Sequence, residues 1–322
     1  MEPFKEPFMI NVLVTTTSFQ DTPGQHHALL EAQGWTLKSL RGPLIEKKLL
    51  PIIDKYDAVI CGDDEYTNAV LTKGKKGKLK AVSKYGVGLD KIDLEAAKKL
   101  GISVRNCPAV NPPSVSEHVI ALLLSFSRNI PIHVQDINNS NWNRITGTEI
   151  KGKTFGIIGL GAIGQELSPK LHGLGLKVLV FDVNPDTTFI NQHKYVEVVD
   201  SIERIFAESD IVSLHVPLNK HTKHIINEKV IIETLKKKPI IINTARGELV
   251  DSYAIVKGIK QGKVKAYLAD VLKEEPLSEN EPLLGCENVI ITPHVGSRTF
   301  ESVQRQGVMA VKNLMELVEK WI

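Results

Sequence analysis

The sequence predicts an α/β protein of two doubly wound parallel-sheet domains, the second inserted into the first. Short β-branched runs alternate with helical patterns almost from end to end. The signal is an apolar run that ends in Gly or Asp and passes into a helix, which is the mark of repeated βα units and a parallel sheet covered on both faces. A glycine-rich turn opens a second series of six such runs. At 322 residues and ~150 residues per domain, the length allows two domains.

In the first series Ile10–Val14, Ala58–Cys61 and Leu79–Ser83 read as strands, with helices near Gln25–Gln33 and Leu94–Leu100. The lysines 73, 75, 76, 78 and 80 read as a solvated turn. Pro112-Pro113-Ser114-Val115-Ser116-Glu117 opens a strong helix running to about Arg128, with Ser114 and Glu117 at capping-box spacing. That helix is apolar on nearly every side, which predicts burial on two faces, one of them against a second copy of the chain. The second series has strands at Phe155–Ile158, Val178–Phe181, Ile211–Leu214, Ile240–Asn243, Ala266–Ala269 and Val289–Ile291, and a closing helix from Phe300 to Trp321. The expected domains are 1–107 with 294–322, and 108–293.

Composition narrows the function. Apolar residues make up 42% and charged residues 24%, as in ordinary globular proteins. The net charge of +3 points to neither nucleic acid nor membrane as a partner. The longest apolar stretch, Val119–Phe126, is far short of the ~20 residues of a membrane span. The start, MEPFKEPFMINVLV, lacks the apolar core of a secretory leader, and three scattered cysteines form neither a disulfide framework nor a metal site. A reducing cytoplasm is expected, with no metal.

Gly159-Leu160-Gly161-Ala162-Ile163-Gly164 follows a strand and opens a helix. The first glycine permits the tight turn, the second lets backbone approach a pyrophosphate, and the third lets helix and strand pack. Asp182, at the end of the next strand, can accept hydrogen bonds from both adenine-ribose hydroxyls and repel a 2′-phosphate. These features predict a Rossmann domain with NAD as cofactor.

Three further strand ends carry Arg246, Glu275 and His294, at the edge where open α/β sheets hold ligands. Such residues suit hydride chemistry at a carbonyl beside a carboxylate. Arginine clamps the carboxylate and polarises the carbonyl. Histidine supplies the proton, and a neighbouring carboxylate stabilises the imidazolium.

With these segments in view, the chain resembles the D-isomer-specific 2-hydroxyacid dehydrogenase family, in particular its phosphoglycerate dehydrogenases. The resemblance rests on Lys84–Asp90, Asn111 with Ser116-Glu117-His118, the glycine loop, Val212–Leu218, Asn243–Asp251, Asp270–Pro276 and Thr292–Ser297. It implies catalysis by Arg246, Glu275 and His294. It implies a substrate-carboxylate loop at Gly86, Val87 and Gly88, with Lys84, Tyr85, Asn111 and Arg246 also on the substrate. It places Asp270, Thr244, Ala245 and Gly296 near the nicotinamide, and Val216, Pro217 and Thr222 on the adenosine and pyrophosphate side. Ala162 and Ile163 lie against the pyrophosphate, Arg246 and His294 also border the cofactor, and His215 is a cofactor-site residue rather than a second base. The resemblance further implies a cleft active site and a homodimer through the NAD-binding domain.

The expected reaction interconverts a D-2-hydroxy acid and a 2-keto acid. The leading substrate is 3-phosphoglycerate, an entry to serine biosynthesis, with glyoxylate or hydroxypyruvate reduction as the alternative and an NAD-sensing corepressor as the non-enzymatic rival. Formate dehydrogenases differ by carrying glutamine where this chain has Glu275, and L-lactate and L-malate dehydrogenases open with the glycine loop. Three departures from the family stand out. Ala162 replaces a frequent arginine. Asp63, Asp64 and Glu65 lie where phosphoglycerate enzymes often place arginine, leaving Lys84 as the best cation for a phosphate. The chain ends at Ile322, without room for a serine-binding regulatory domain.

Overall fold

A computed structural model describes Met9–Trp321. The first eight residues, which bear on the expectation of no leader, and Ile322 lie outside the described residues. The chain forms two compact units. One contains the residues up to Asn111 and from Arg298 onward, and the other contains Pro112–Ser297. Both divisions fall four residues later than the sequence suggests, so His294 belongs to the second unit. The reason is local: the backbone N–H groups of Val295 and Gly296 donate to the Asp270 carboxylate, tying that segment to its sheet.

The first unit holds a parallel sheet of β1 (Asn11–Val14), β2 (Thr36–Ser39), β3 (Ala58–Cys61), β4 (Ala81–Lys84) and β5 (Ser103–Arg105), in the order β2-β1-β3-β4-β5. Side chains alternate between two cores. Val12, Val14, Ala58 and Ile60 face one, and Leu13, Val59 and Cys61 face the other. The closing helix Phe300–Val318 covers the first face with Ala310, Val311 and Leu314, and the Ser83 hydroxyl donates to the Ala310 carbonyl.

The second unit holds β6 (Thr154–Ile158), β7 (Lys177–Phe181), β8 (Val196–Val198), β9 (Ile211–Leu214), β10 (Ile240–Asn243), β11 (Ala266–Ala269) and β12 (Val289–Ile291). Their order is β12-β11-β10-β9-β6-β7-β8, all parallel. The order reverses at β6, so the loop after β6 lies at the switch point where such sheets bind ligands. Alternation again feeds two cores: Ile241, Val212 and Leu214 lie on one face, and Ile240, Ile242 and Ile211 on the other.

Three strands escaped the sequence reading. β2 is exposed at all four positions, and β5 and β8 have three residues each. All three are edge strands, which bury little and so carry a weak apolar signal. Lys73, Lys75 and Lys76 occupy the last turn of the helix Asn68–Lys76 rather than a loop. Cations there meet the negative end of the helix dipole, and Lys73 also pairs with Asp54 at 2.7 Å. The strong helix starts at Pro112 and ends at Ser127, which puts Ser114 in its first turn and not at its N-cap. The expected capping box is therefore not formed. Among the described residues no helix is long and apolar enough to cross a membrane, and no group of three or more His, Cys, Asp or Glu is placed to hold a metal.

Candidate active site

The glycine loop joins β6 to the helix Ala162–Gly173. Gly159 has φ +100°, and a Cβ there would lie 2.5 Å from the His215 carbonyl oxygen. Only glycine suits that position on both counts. A Cβ on Gly164 would lie 2.4 Å from the Gly159 oxygen, so the third glycine permits the close turn. Gly161, the N-cap of the helix, faces open space. An approaching pyrophosphate would find room and free helix N–H groups there. Ala162 and Ile163 form the helix's first turn. Asp182 accepts from the Leu160 N–H at 2.6 Å and the Asn184 N–H at 2.8 Å, which fixes its carboxylate beside the loop.

The adjoining loop after β9 brings Val216 against the position of Gly159. The Thr222 hydroxyl donates to the Pro217 carbonyl at 2.6 Å and shapes this loop. Burial lowers the His215 pKa to about 4, so its ring is neutral near pH 7. Its Nε2 contacts the Ser213 hydroxyl at 2.9 Å, while Nδ1 is buried without a protein partner. Thr244 Oγ1 is likewise buried and unpartnered. The open space at Gly161, the positioned Asp182 and these two orphaned polar atoms fit a dinucleotide.

Around the strand ends of β10, β11 and β12 the remaining residues converge. His294 Nδ1 lies 2.7 Å from Glu275 Oε2, each side chain about one-third exposed. Glu275 Oε1 accepts from the Leu272 N–H at 2.9 Å, which holds the carboxylate towards the ring. Arg246 sits half-buried at the end of β10, and its Nη1 donates to the Ala245 carbonyl at 2.6 Å. Asn243 braces this turn, accepting from the Ala245 N–H and donating to the Arg246 carbonyl.

Gly247 explains how the arginine and glutamate loops meet. A Cβ there would lie 2.1 Å from the Leu272 carbonyl carbon and 2.3 Å from the Lys273 nitrogen. Sequence reasoning missed this residue, although a glycine directly after a strand-end arginine was the available signal.

Asp270 is nearly fully buried and ties the loop of His294 to the sheet. Burial alone would raise its pKa, but donors from His118, Thr292, Val295 and Gly296 outweigh that and hold it below the usual carboxylate range.

The remaining expected substrate residues belong to the first unit. Gly86 has φ +126° and Val87 is exposed. The Val87 carbonyl accepts from the Asn106 amide at 2.7 Å, which braces the loop. Tyr85 is a core residue, edge-on to Phe19, and its backbone N–H already donates to the Cys61 carbonyl at 2.8 Å. Asn111 is half-buried at the end of this unit. Lys84 is 4% exposed and paired with Asp63 at 2.8 Å.

Residues 120–296 match the family described as D-isomer specific 2-hydroxyacid dehydrogenase, NAD binding domain. That match spans more than half of the sequence. The chain belongs to the D-isomer specific 2-hydroxyacid dehydrogenase family. It is an oxidoreductase with NAD as cofactor. A glyoxylate reductase from Thermofilum pendens is 36% identical over 283 residues, covering 86% of this chain and 83% of that protein. A D-3-phosphoglycerate dehydrogenase from Methanocaldococcus jannaschii is 35% identical over 96% of this chain but only 58% of its own length. Among solved structures, the apo-structure of D-lactate dehydrogenase from Escherichia coli aligns with a TM-score of 0.82 at 30% identity, over 97% of this chain and 98% of that one.

Proposed function

We propose that this dehydrogenase reduces a small, unphosphorylated 2-keto acid of the glyoxylate or hydroxypyruvate type to the D-2-hydroxy acid, and also runs the reverse reaction. The observation that carries this reading is the Lys84–Asp63 pair. The cation best placed by sequence for a substrate phosphate is buried and already neutralised. Asp64 is turned inward, accepting from the Thr15 hydroxyl and the Leu44 N–H, both at 2.5 Å. Asp63 and Asp64 are thus each committed within the protein, and Lys84 is not left to balance a phosphate. The glyoxylate reductase from Thermofilum pendens, matched over most of its length, supports the same reading.

Bound NAD(H) supplies or receives the hydride. Arg246 clamps the substrate carboxylate and polarises the carbonyl through its fork of donors. His294 gives a proton to the carbonyl oxygen during reduction and takes it back during oxidation. Glu275 accepts from His294 Nδ1–H, which fixes the tautomer that presents Nε2 to substrate.

A substrate panel tests this reading. With NADH oxidation followed over glyoxylate, hydroxypyruvate, pyruvate and phosphohydroxypyruvate, an unphosphorylated acid should exceed phosphohydroxypyruvate in kcat/KM by roughly tenfold or more, since a phosphate that leaves water without gaining a cation is costly. The opposite order restores 3-phosphoglycerate as substrate, the reading favoured by the Methanocaldococcus jannaschii relative that covers 96% of this chain.

Cofactor choice follows from Asp182. Its fixed carboxylate should favour NADH over NADPH, by roughly tenfold or more in kcat/KM, because a 2′-phosphate beside it meets like charge. Equal values would remove Asp182 from that role.

We further propose a homodimer through the NAD-binding domain. The helix Ile130–Asn138 buries none of its residues, and Ile130, Ile132, Val134 and Ile137 are each about half exposed, with Trp142 80% exposed nearby. An apolar surface of this kind marks an interface. Light scattering should give twice the 35.6 kDa chain mass, and the double variant Ile132→Glu, Val134→Glu should give a monomer. A monomeric wild type at micromolar concentration would overturn the dimer.

A further inference from the structure

We infer that His118 is a positioning residue for His294, acting through Thr292 and Asp270. The inference rests on the acid–base role proposed for His294. His118 lies in the second turn of the helix Pro112–Ser127, far along the chain from the strand ends that carry the chemistry. That helix is firmly seated. Val115, Val119, Leu122 and Leu123 are buried, and Lys170 donates to the Ser116 hydroxyl at 2.7 Å.

Proton bookkeeping fixes the direction of each bond. Thr292 Oγ1 donates its single proton to Asp270 Oδ1 at 2.5 Å. That hydroxyl oxygen must then accept from His118 Nε2–H, 2.9 Å away. The same Nε2 lies 3.3 Å from Asp270 Oδ1, so the ring also steadies the buried carboxylate. Asp270 passes this order to the loop, with Oδ1 accepting from the Val295 N–H at 2.9 Å and Oδ2 from the Gly296 N–H at 2.7 Å. The His294 N–H donates to the Asp270 carbonyl at 2.9 Å. His118 also fills the space under the loop: a Cβ on Gly296 would lie 3.4 Å from His118 Cδ2.

His294 needs this support because of its backbone. It has φ +52°, a left-handed conformation that a histidine keeps only when its surroundings hold it there. His118, Thr292 and Asp270 tie down the residues on either side of that strained position. Loosening them lets His294 turn away from both Glu275 and substrate, and a misplacement near 1 Å can cost roughly 10²-fold in rate.

Two substitutions test this. His118→Leu keeps the bulk and removes the donor. His118→Gln puts an amide N–H near the place of Nε2. The Leu variant should lose roughly 10- to 100-fold in kcat with little change in the keto-acid KM, and the Gln variant should recover much of that loss. Hydrogen exchange read by mass spectrometry should show faster exchange in the segment containing Val295 and Gly296 for the Leu variant alone. Equal loss in both variants, an unchanged kcat, or unchanged exchange in that segment overturns the inference. Should the Leu variant not fold, His118→Asn serves, because its amide reaches only the place of Nδ1. If His294→Ala retains wild-type activity, the acid–base reading is what fails. The exchange comparison needs no turnover and still decides whether His118 holds the loop.

Discussion

Replacing His294 by alanine should lower kcat/KM by roughly 10²- to 10⁴-fold in both directions, the usual worth of a placed acid–base group. The expectation rests on the 2.7 Å contact to Glu275, which leaves Nε2 as the exchanging atom. Glu275→Gln should act differently. If its Oε1 keeps the Leu272 N–H, its amide N–H₂ faces Nδ1 and disfavours the tautomer that the carboxylate imposes. Loss of the negative charge also lowers the imidazolium pKa relative to wild type. Reduction needs the protonated ring, so its activity should be lost at a lower pH as pH rises. Oxidation needs the neutral ring, so its activity should extend further into acid. The pH profiles of kcat/KM in both directions read the two limbs. Profiles that stay in place would make Glu275 a turn residue, and a near-wild-type His294→Ala would remove the histidine from the chemistry. His215 is a poor substitute, because burial lowers its pKa to about 4 and so disfavours the protonated form that the transfer must pass through.

Arg246→Lys should cost roughly 10²-fold or more in kcat/KM, comparable to losing one preorganised donor. Lysine keeps the charge but offers a flexible point cation instead of a planar fork. The Ala245 carbonyl fixes one arm of that fork by accepting from Nη1 at 2.6 Å. A lysine side chain cannot hold that bond and a bidentate carboxylate together. Fluorescence titration of NADH should show affinity within a few-fold of wild type. Near-wild-type kcat/KM would exclude the arginine as the clamp.

The candidate triad was legible because strand ends were legible. Continuous β-branched runs such as Ile240, Ile241 and Ile242 report burial on both faces, and the residues that follow fall on the ligand edge. The glycine loop was legible because its spacing reflects local backbone demands at Gly159 and Gly164, which the positive φ and close approaches display. Other features required distant pairs. Nothing near Lys84 in the sequence indicates that Asp63, 21 residues earlier, neutralises it. Nothing near His118 indicates that Thr292, 174 residues later, accepts from it.

The sequence by itself determined the class of fold, the family, the cofactor and which residue types stand at the strand ends. Those properties follow from short-range patterns: periodicity, turn glycines and the residue closing each strand. Tertiary structure decided how charges are spent and how loops are held. It committed Lys84 to Asp63, brought Gly247 against Leu272 and Lys273, and hung the His294 loop from Asp270 and His118. Hydrogen bonds and ion pairs depend on distances of a few ångströms between groups that can be any number of residues apart, and only the folded chain sets those distances.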